Sequence, residues 1–264
     1  MKHKTAPLSS IQRILITNDD GIFADGLLRL VAAAKDFGEV WVVAPDGQRS
    51  AASHSITLRH PVDLIPVNNY PVEGVHAFSC SGTPADCVRV GGLYLMKGMP
   101  DIVLSGINYG YNVASDIQYS ATVGAALEGA FQGWPSIALS EGCKNHEVTD
   151  AYLYEVLGEY IDRKPPSGNI WNMNFPDCSL KECKGILHNT RVSAGTFYRD
   201  HYNEIAMLET GGVRLMVEGV YNEQCEEQTD FRAVVDGFIS IGLVNNLGYP
   251  VSLADLVQRG EGEN

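Results

Sequence analysis

The stretch Ile14-Leu15-Ile16-Thr17-Asn18-Asp19-Asp20-Gly21 decides how the rest of this 264-residue chain is read. A short apolar run that stops abruptly at polar residues suits a strand buried on both faces, which is the signature of a parallel sheet rather than a half-solvated one. Working outward, Leu27, Leu30, Val31 and Ala34 recur at helical spacing and Gly38 supplies a stop. Val40 to Ala44 then reads as a second buried strand. A strand, a helix and a strand within 45 residues imply parallel neighbours joined by a right-handed crossover.

The alternation continues. Thr83-Pro84-Ala85-Asp86 offers a cap residue, a proline at the first helical position and an acid at the third, and predicts a helix to about Leu95. Ile102-Val103-Leu104 and Ser136 to Leu139 read as buried strands, with a helix rich in small residues over Thr122 to Phe131. Thr149 is expected to cap a helix whose buried face is Leu153, Val156, Leu157, Tyr160 and Ile161, closed by Pro165-Pro166. Past Asn174 the helical periods fade, and alternation at Val213–Val217 and Val234–Ile241 predicts antiparallel strands. The fold class expected is α/β: a doubly wound three-layer α/β/α catalytic domain over 14–190. It is preceded by an N-terminal extension over 1–13 and followed by a β-rich C-terminal extension over 191–264. That extension is expected to pack on the core and serve as an oligomerisation arm, in a homodimer or homotetramer.

Composition narrows the function. Nineteen Lys and Arg against 32 Asp and Glu leave a net charge of -13, so no basic surface exists to displace the counterions of long nucleic acid. The apolar run at Ile14 is too short for a signal peptide or a membrane span, which predicts a cytoplasmic protein with no membrane partner. Six cysteines without a CxxC pair or a His/Cys cluster read as reduced thiols rather than a zinc or redox site.

Ligands of open parallel sheets bind beyond the carboxyl ends of the strands, so the residues directly after each apolar run carry the chemistry. Three such ends are polar together: Asn18-Asp19-Asp20-Gly21, the hydroxyl-rich loop Pro45 to Ser55, and Ser105-Gly106-Ile107-Asn108-Tyr109-Gly110-Tyr111-Asn112. Each alone reads equally as a cap, a surface loop or a turn. Jointly, two carboxylates with neutral Ser and Asn oxygens suit one hard divalent cation, Mg²⁺ or Mn²⁺. Tyr119-Ser120-Ala121-Thr122-Val123-Gly124 adds hydroxyls and backbone N–H groups at a helix start, which suits phosphate. A dinucleotide fingerprint and a Walker A lysine are both absent, and no acid follows Asp19 or Asp20 by two residues as a phosphoaspartate route wants.

At this point the residues resemble a known family. Ile14 to Gly21, Val42-Val43-Ala44-Pro45-Asp46, Arg49 to Ser55, Ser81 to Cys87, Ser105-Gly106-Ile107-Asn108 and Tyr119 to Ala126 are similar, in order and spacing, to the stationary-phase survival protein family SurE. The resemblance implies a 5'-nucleotidase: a metal-dependent phosphomonoesterase acting on nucleoside 5'- and 3'-monophosphates by metal-assisted water attack. Metal positions carry over to Asp19, Asp20, Ser50 and Asn108, with Asp19 and Asp20 catalytic. Phosphate contacts carry over to Asn18, Asn112, Ser120 and Thr122. The chain departs from the family pattern at Phe23, Asp25, Ala51 and Ala121, where His, Pro, Gly and Gly are usual. The alternative reading is a nucleotide- or phosphate-binding regulatory module without turnover.

Overall fold

The computed structural model describes residues 13–98, 100–222 and 224–246. Along the chain these form β1 (Arg13–Thr17), α1 (Asp25–Ala34), β2 (Glu39–Pro45), β3 (Leu64–Pro66), β4 (His76–Cys80) and α2 (Pro84–Arg89). A π-helical turn (Val90–Leu95), β5 (Ile102–Tyr109), a 3-10 turn (Ala114–Gln118), α3 (Ala121–Phe131), β6 (Ser136–Glu141) and α4 (Glu147–Tyr160) follow. The remainder is β7 (Ile170–Phe175), β8 (Ile186–His188), β9 (Tyr198–Met207), β10 (Val213–Tyr221), α5 (Asp230–Val235) and β11 (Ile239–Val244).

Side chains of the central strands alternate between two apolar layers, which is why these runs are continuously hydrophobic. Ile14 and Ile16 face one layer and Leu15 the other; Val42 and Ala44 oppose Val43, and Ile102 and Leu104 oppose Val103. Helices α1 and α4 cover the first face through Leu27, Leu30, Val31, Leu153, Val156 and Leu157. Helix α2 covers the second through Cys87 and Val88, and Ala125 of α3 joins it there. The sheet runs β3-β4-β2-β1-β5-β6-β7-β11-β8. Strands β4, β2, β1, β5, β6 and β7 are mutually parallel, and β3 and β11 run antiparallel to their neighbours β4 and β7. The three-layer doubly wound domain is therefore the observed fold.

Local signals were read correctly where capping is local. The Thr83 hydroxyl accepts from Asp86 N at 3.1 Å while the Asp86 carboxylate accepts from Thr83 N at 2.9 Å, closing the capping box of α2. Regular helix then ends at Arg89 and continues to Leu95 as the π-helical turn. Two expectations are corrected. Thr149 does not cap α4: it is buried in the first turn, and Asn145 Oδ1 accepts from Glu147 N at 2.9 Å instead. The stretch Val234–Ile241 is not one strand, because Thr229 caps α5 and the Arg232–Asp236 ion pair at 2.7 Å, one turn apart, carries the helical path past Val235. Strand β11 begins only at Ile239, and it enters the main sheet between β7 and β8. β9 and β10 form a separate antiparallel hairpin, with every residue of β9 exposed.

Asp230 ties the later chain to the domain. It is 4% exposed and accepts from Ser193 N (2.9 Å), Phe231 N (2.7 Å) and Ala114 N (3.2 Å). Asp230→Ala orphans three N–H groups, and thermal denaturation is expected to show a loss of about 2–4 kcal/mol. Burial pushes the Asp230 carboxyl up to about 6 from 3.8 in spite of these donors. The native state thus holds the proton more tightly than the unfolded state between those values. The contribution of Asp230 is fullest below that window and declines as pH rises through it. The Ala variant should therefore lose more stability at pH 5 than at pH 8, and an equal or smaller loss at pH 5 contradicts the assignment.

Among the described residues no helix is long and apolar enough to cross a membrane.

Candidate active site

The strand order reverses at β1, which pairs with β2 on one side and β5 on the other. The crevice beyond the carboxyl ends of β1 and β5 is the place where such sheets bind ligands. β1 stops at Thr17, and Asn18 closes the turn that follows: its Oδ1 accepts from Gly21 N (3.2 Å) and its Nδ2 donates to Gly21 O (3.0 Å). Asn18 is fully buried and absent from the cavity wall; what it does here is shape the turn that carries Asp19 and Asp20.

Asn108 arrives through a bulge. Ser105 lies opposite Ala138 and Asn108 opposite Ser140, so three steps of β5 match two of β6. The Asn108 amide donates to Gly110 O at 2.8 Å, which fixes the other end of the side chain, Oδ1, 3.3 Å from Thr122 Oγ1. Thr122 Oγ1 in turn donates to Asp19 Oδ1 at 2.6 Å. Three segments far apart in sequence thus meet at Asp19, Asn108 and Thr122. Asp20 faces the same corner, its Oδ2 lying 3.4 Å from Tyr109 N.

A cavity of about 530 Å³ opens on this cluster, lined by Asp19, Ser50, Asn108, Asn112 and Ser120 among others. Ser120 caps α3, its Oγ accepting from Val123 N at 3.0 Å, so the hydroxyl proton remains available to a ligand. Asn112 is braced at the cavity floor: Asn174 accepts from its backbone N–H, Asn172 and Asn174 donate to its carbonyl, and its amide donates to Ser140 at 2.8 Å.

Ser50 sits on the loop after β2, and that loop is pinned from several sides. Arg49 N donates to Asp19 O (2.7 Å), Ser53 donates to Tyr119 O and Gln118 O, and His54 meets Glu128 of α3 at 2.8 Å. Glu128, nearly buried, also takes Arg89 at 2.9 Å. Gly124 makes this contact feasible, since a Cβ there would stand 2.6 Å from Ser53 O. Gly124→Val is expected to push the Ser50 loop off α3 and weaken Mg²⁺ or Mn²⁺ binding by about tenfold or more in calorimetry. Unaltered affinity in a folded variant would show that the loop does not position a donor.

Electrostatics single out the two acids. Burial pushes the Asp19 carboxyl up to about 6, partly opposed by the Thr122 hydrogen bond and reinforced by the neighbouring charge of Asp20. Burial also raises Asp20. No lysine, arginine or histidine among the described residues pairs with either carboxylate. A buried carboxylate beside a half-buried one, neither with a cationic partner, is costly unless a cation joins them. Among the described residues no group of three or more His, Cys, Asp or Glu is placed to hold a metal. The Asn108 carbonyl approaches Asp19 through Thr122 and Ser50 lines the same cavity, so the side-chain oxygens gathered here are of the kind that suits a hard cation rather than zinc.

Two of the departures from the family pattern, Ala51 and Ala121, fall at the cavity or at the start of the helix that faces it. Ala51 lines the cavity in a left-handed conformation at φ +56°, and Ala121 is fully buried at the start of α3. Phe23 is exposed near Tyr70, and Asp25 pairs with Arg29 at 2.8 Å. The outer wall is built by Tyr109 and Tyr119, which lie in stretches already picked out from the sequence, and by Asp116, Phe197, Tyr198 and Asp200, which sequence reading missed. No period or motif marks those four, and the last three arrive from a segment about 90 residues beyond Tyr109.

A doubly wound α/β protein with carboxylate, amide and hydroxyl oxygens gathered at its topological switch point is the class this fold and site define. Residues 14–198 match the family model of survival protein SurE. The chain belongs to the SurE family. The 5'/3'-nucleotidase SurE of Erwinia tasmaniensis is 40% identical over 232 residues, which cover 87% of this chain and 88% of that protein. The 5'-nucleotidase SurE of Synechococcus sp. (strain CC9902) is 43% identical over 185 residues, 69% of this chain and 68% of that one. The crystal structure of the SurE protein from Aquifex aeolicus superimposes with a TM-score of 0.78 at 30% identity, covering 94% of this chain and 99% of that one.

Proposed function

We propose that this chain is a nucleotidase that hydrolyses nucleoside 5'- and 3'-monophosphates with the help of one divalent cation, Mg²⁺ or Mn²⁺. The observation that carries the reading is the meeting of Asp19, Asn108 and Thr122 at the switch point, with the capped start of α3 facing the same cavity. The nucleotidase names of the relatives support the substrate class. Asp19, Asp20, Ser50 and Asn108 would hold the cation. When bound, such an ion neutralises charge on phosphoryl oxygens and lowers the pKa of water.

The chain's own residues do the positioning. Ser120 directs its hydroxyl proton toward a phosphoryl oxygen, and the N-terminus of α3 adds a favourable dipole. Thr122 orients Asp19 by spending its proton on Oδ1, so its part in phosphate binding is indirect as placed. Asn112 and Asn18 hold the floor and the turn. A water attacking in line needs a proton acceptor, and we assign that task to Asp20.

We further propose a homo-oligomer formed through the β9–β10 hairpin, which exposes Tyr202, Ile205, Leu215, Met216 and Val220. A cytoplasmic setting is supported by six cysteines that form no CxxC pair in the sequence. Light scattering at micromolar concentration tests the oligomer, and a monomer refutes it.

The decisive assay is phosphate release from 5'-AMP and 3'-AMP after chelator treatment and after return of Mg²⁺ or Mn²⁺. Cation-dependent release is expected. Binding of AMP without release under any of these conditions would leave a regulatory module. Single turnover in ¹⁸O-water should label phosphate only; label in an aspartate would replace water attack by a covalent route.

A further inference from the structure

In-line displacement of a nucleoside from phosphorus needs two proton transfers, one from the attacking water and one to the ribose oxygen that leaves. Asp20 takes the first, and the second needs a further group. An alkoxide leaves readily only if it is protonated as its bond breaks, so the donor must face the cavity where the nucleoside departs. Among the described residues the cavity wall holds no lysine, arginine or histidine. Tyr109 spends its hydroxyl proton on Cys143 O at 2.7 Å. Burial and nearby carboxylates push the Cys143 thiol and the Tyr198 hydroxyl up, which makes both weak acids. Asp19 belongs to the cation cluster, and the outer wall adds two more carboxyls, Asp116 and Asp200.

Asp116 is the better placed of the two. It lies in the 3-10 turn that leads into α3, and its carbonyl accepts from Tyr119 N (3.1 Å) and Ser120 N (3.0 Å), which ties it to the hydroxyl that faces the phosphate. Its side chain is half-buried with Ser115 Oγ donating to Oδ1 at 3.4 Å, whereas Asp200 sits on the exposed strand β9. Burial lifts the Asp116 carboxyl to about 6 from 3.8; the Ser115 hydrogen bond opposes this and the charge of Asp200 adds to it. A carboxyl titrating there keeps a usable protonated fraction close to neutrality, where one at 3.8 keeps almost none. We propose that Asp116 is the general acid of the reaction, giving its proton to ribose O5' or O3' as water adds to phosphorus and the phosphorus–oxygen bond breaks. The proton of the water passes to Asp20, Asp116 is left as the carboxylate, and exchange with solvent restores both. The assignment rests on the nucleotidase reading of the same cavity.

The test compares the wild type with Asp116→Asn on AMP, whose alkoxide needs a proton, and on p-nitrophenyl phosphate, whose phenolate leaves without one, with Mn²⁺ or Mg²⁺ in excess. In the variant, kcat/KM for AMP should fall about a hundredfold or more and that for the aryl ester less than about fivefold. As pH rises through about 6, the wild-type rate on AMP should decline more steeply than the rate on the aryl ester, and the variant should lose that difference. A readout independent of turnover is the ¹³C resonance of the Asp116 carboxyl in the cation-free protein, assigned by its loss in Asp116→Asn. It should titrate near 6 and move toward the ordinary aspartate value in Asp200→Asn. Equal losses on both esters in a folded variant overturn the assignment, because a merely structural role does not distinguish leaving groups. A carboxyl that titrates at about 4 overturns it as well. If the wild type hydrolyses neither ester with either cation, the nucleotidase reading fails and the acid falls with it, an outcome distinct from equal losses.

Discussion

Asp19→Asn should lower kcat/KM for AMP by at least about a thousandfold while making the cation-free protein more heat-stable at neutral pH. The first effect follows from removing half the negative charge of the donor set at unchanged shape. Thr122 can still donate to the Asn oxygen, so the fold around position 19 has no reason to change. The second effect follows from burial. The Asp19 carboxyl lies near 6 in the fold against 3.8 in its ordinary state, so above about 6 the folded protein carries a charge it binds poorly. Replacing it by a neutral isostere should add on the order of 1–3 kcal/mol at pH 8. That gain should shrink as pH falls through about 6 toward 4, where the wild-type group becomes protonated in the fold. Phosphate release at saturating Mg²⁺ and melting curves after chelation read the two effects. Turnover near the wild-type rate would remove Asp19 from the donor set, and a lowered cation-free melting temperature at pH 8 would contradict the electrostatic account.

Gly106→Ala should have the largest effect on the scaffold. Gly106 lies in the β5 bulge at φ +142°, and a Cβ there would press into the carbonyl oxygen of Leu139 on the neighbouring strand. Backbone cannot yield as a side-chain tip can, so β5 and β6 must separate locally. The expected cost is about 3 kcal/mol or more, roughly a 6–12 °C fall in melting temperature for a chain of this size. Asn108, two residues on, should lose its approach to Thr122, and cation affinity should fall with stability. A variant with unchanged melting temperature and unchanged affinity would show that the bulge does not set the position of Asn108.

Much of this molecule was legible before any coordinates. The runs Ile14–Ile16, Val40–Ala44 and Ile102–Leu104 identify strands covered on both faces, and the alternation of strand and helix implies parallel pairing. Side-chain direction along a strand and capping at a helix start are local properties, settled within a few residues of chain. The Thr83–Asp86 box formed as read, whereas Thr149 misled because a competing acceptor, Asn145, stood four residues earlier. The rule that ligands sit at strand carboxyl ends picked out the three stretches that hold Asp19, Ser50 and Asn108, the family resemblance picked these residues within them, and they line one cavity.

What only the tertiary structure decided is who meets whom across long separations. The Thr122 hydroxyl lies between Asp19 and Asn108, and the Asn18 amide closes its own turn, contacts that no local reading of either residue contains. Strand β11 and helix α5 divide a stretch that alternates like a single strand, because a cap at Thr229 and insertion between β7 and β8 outweigh a two-residue period. The aromatic and acidic outer wall came from packing of Phe197 on Tyr111 and Phe231, which carries Tyr198 and Asp200 to the mouth of the site. Local sequence fixes backbone periodicity and donor chemistry; the facing of distant segments is set by burial and shape complementarity, which no short window of residues contains.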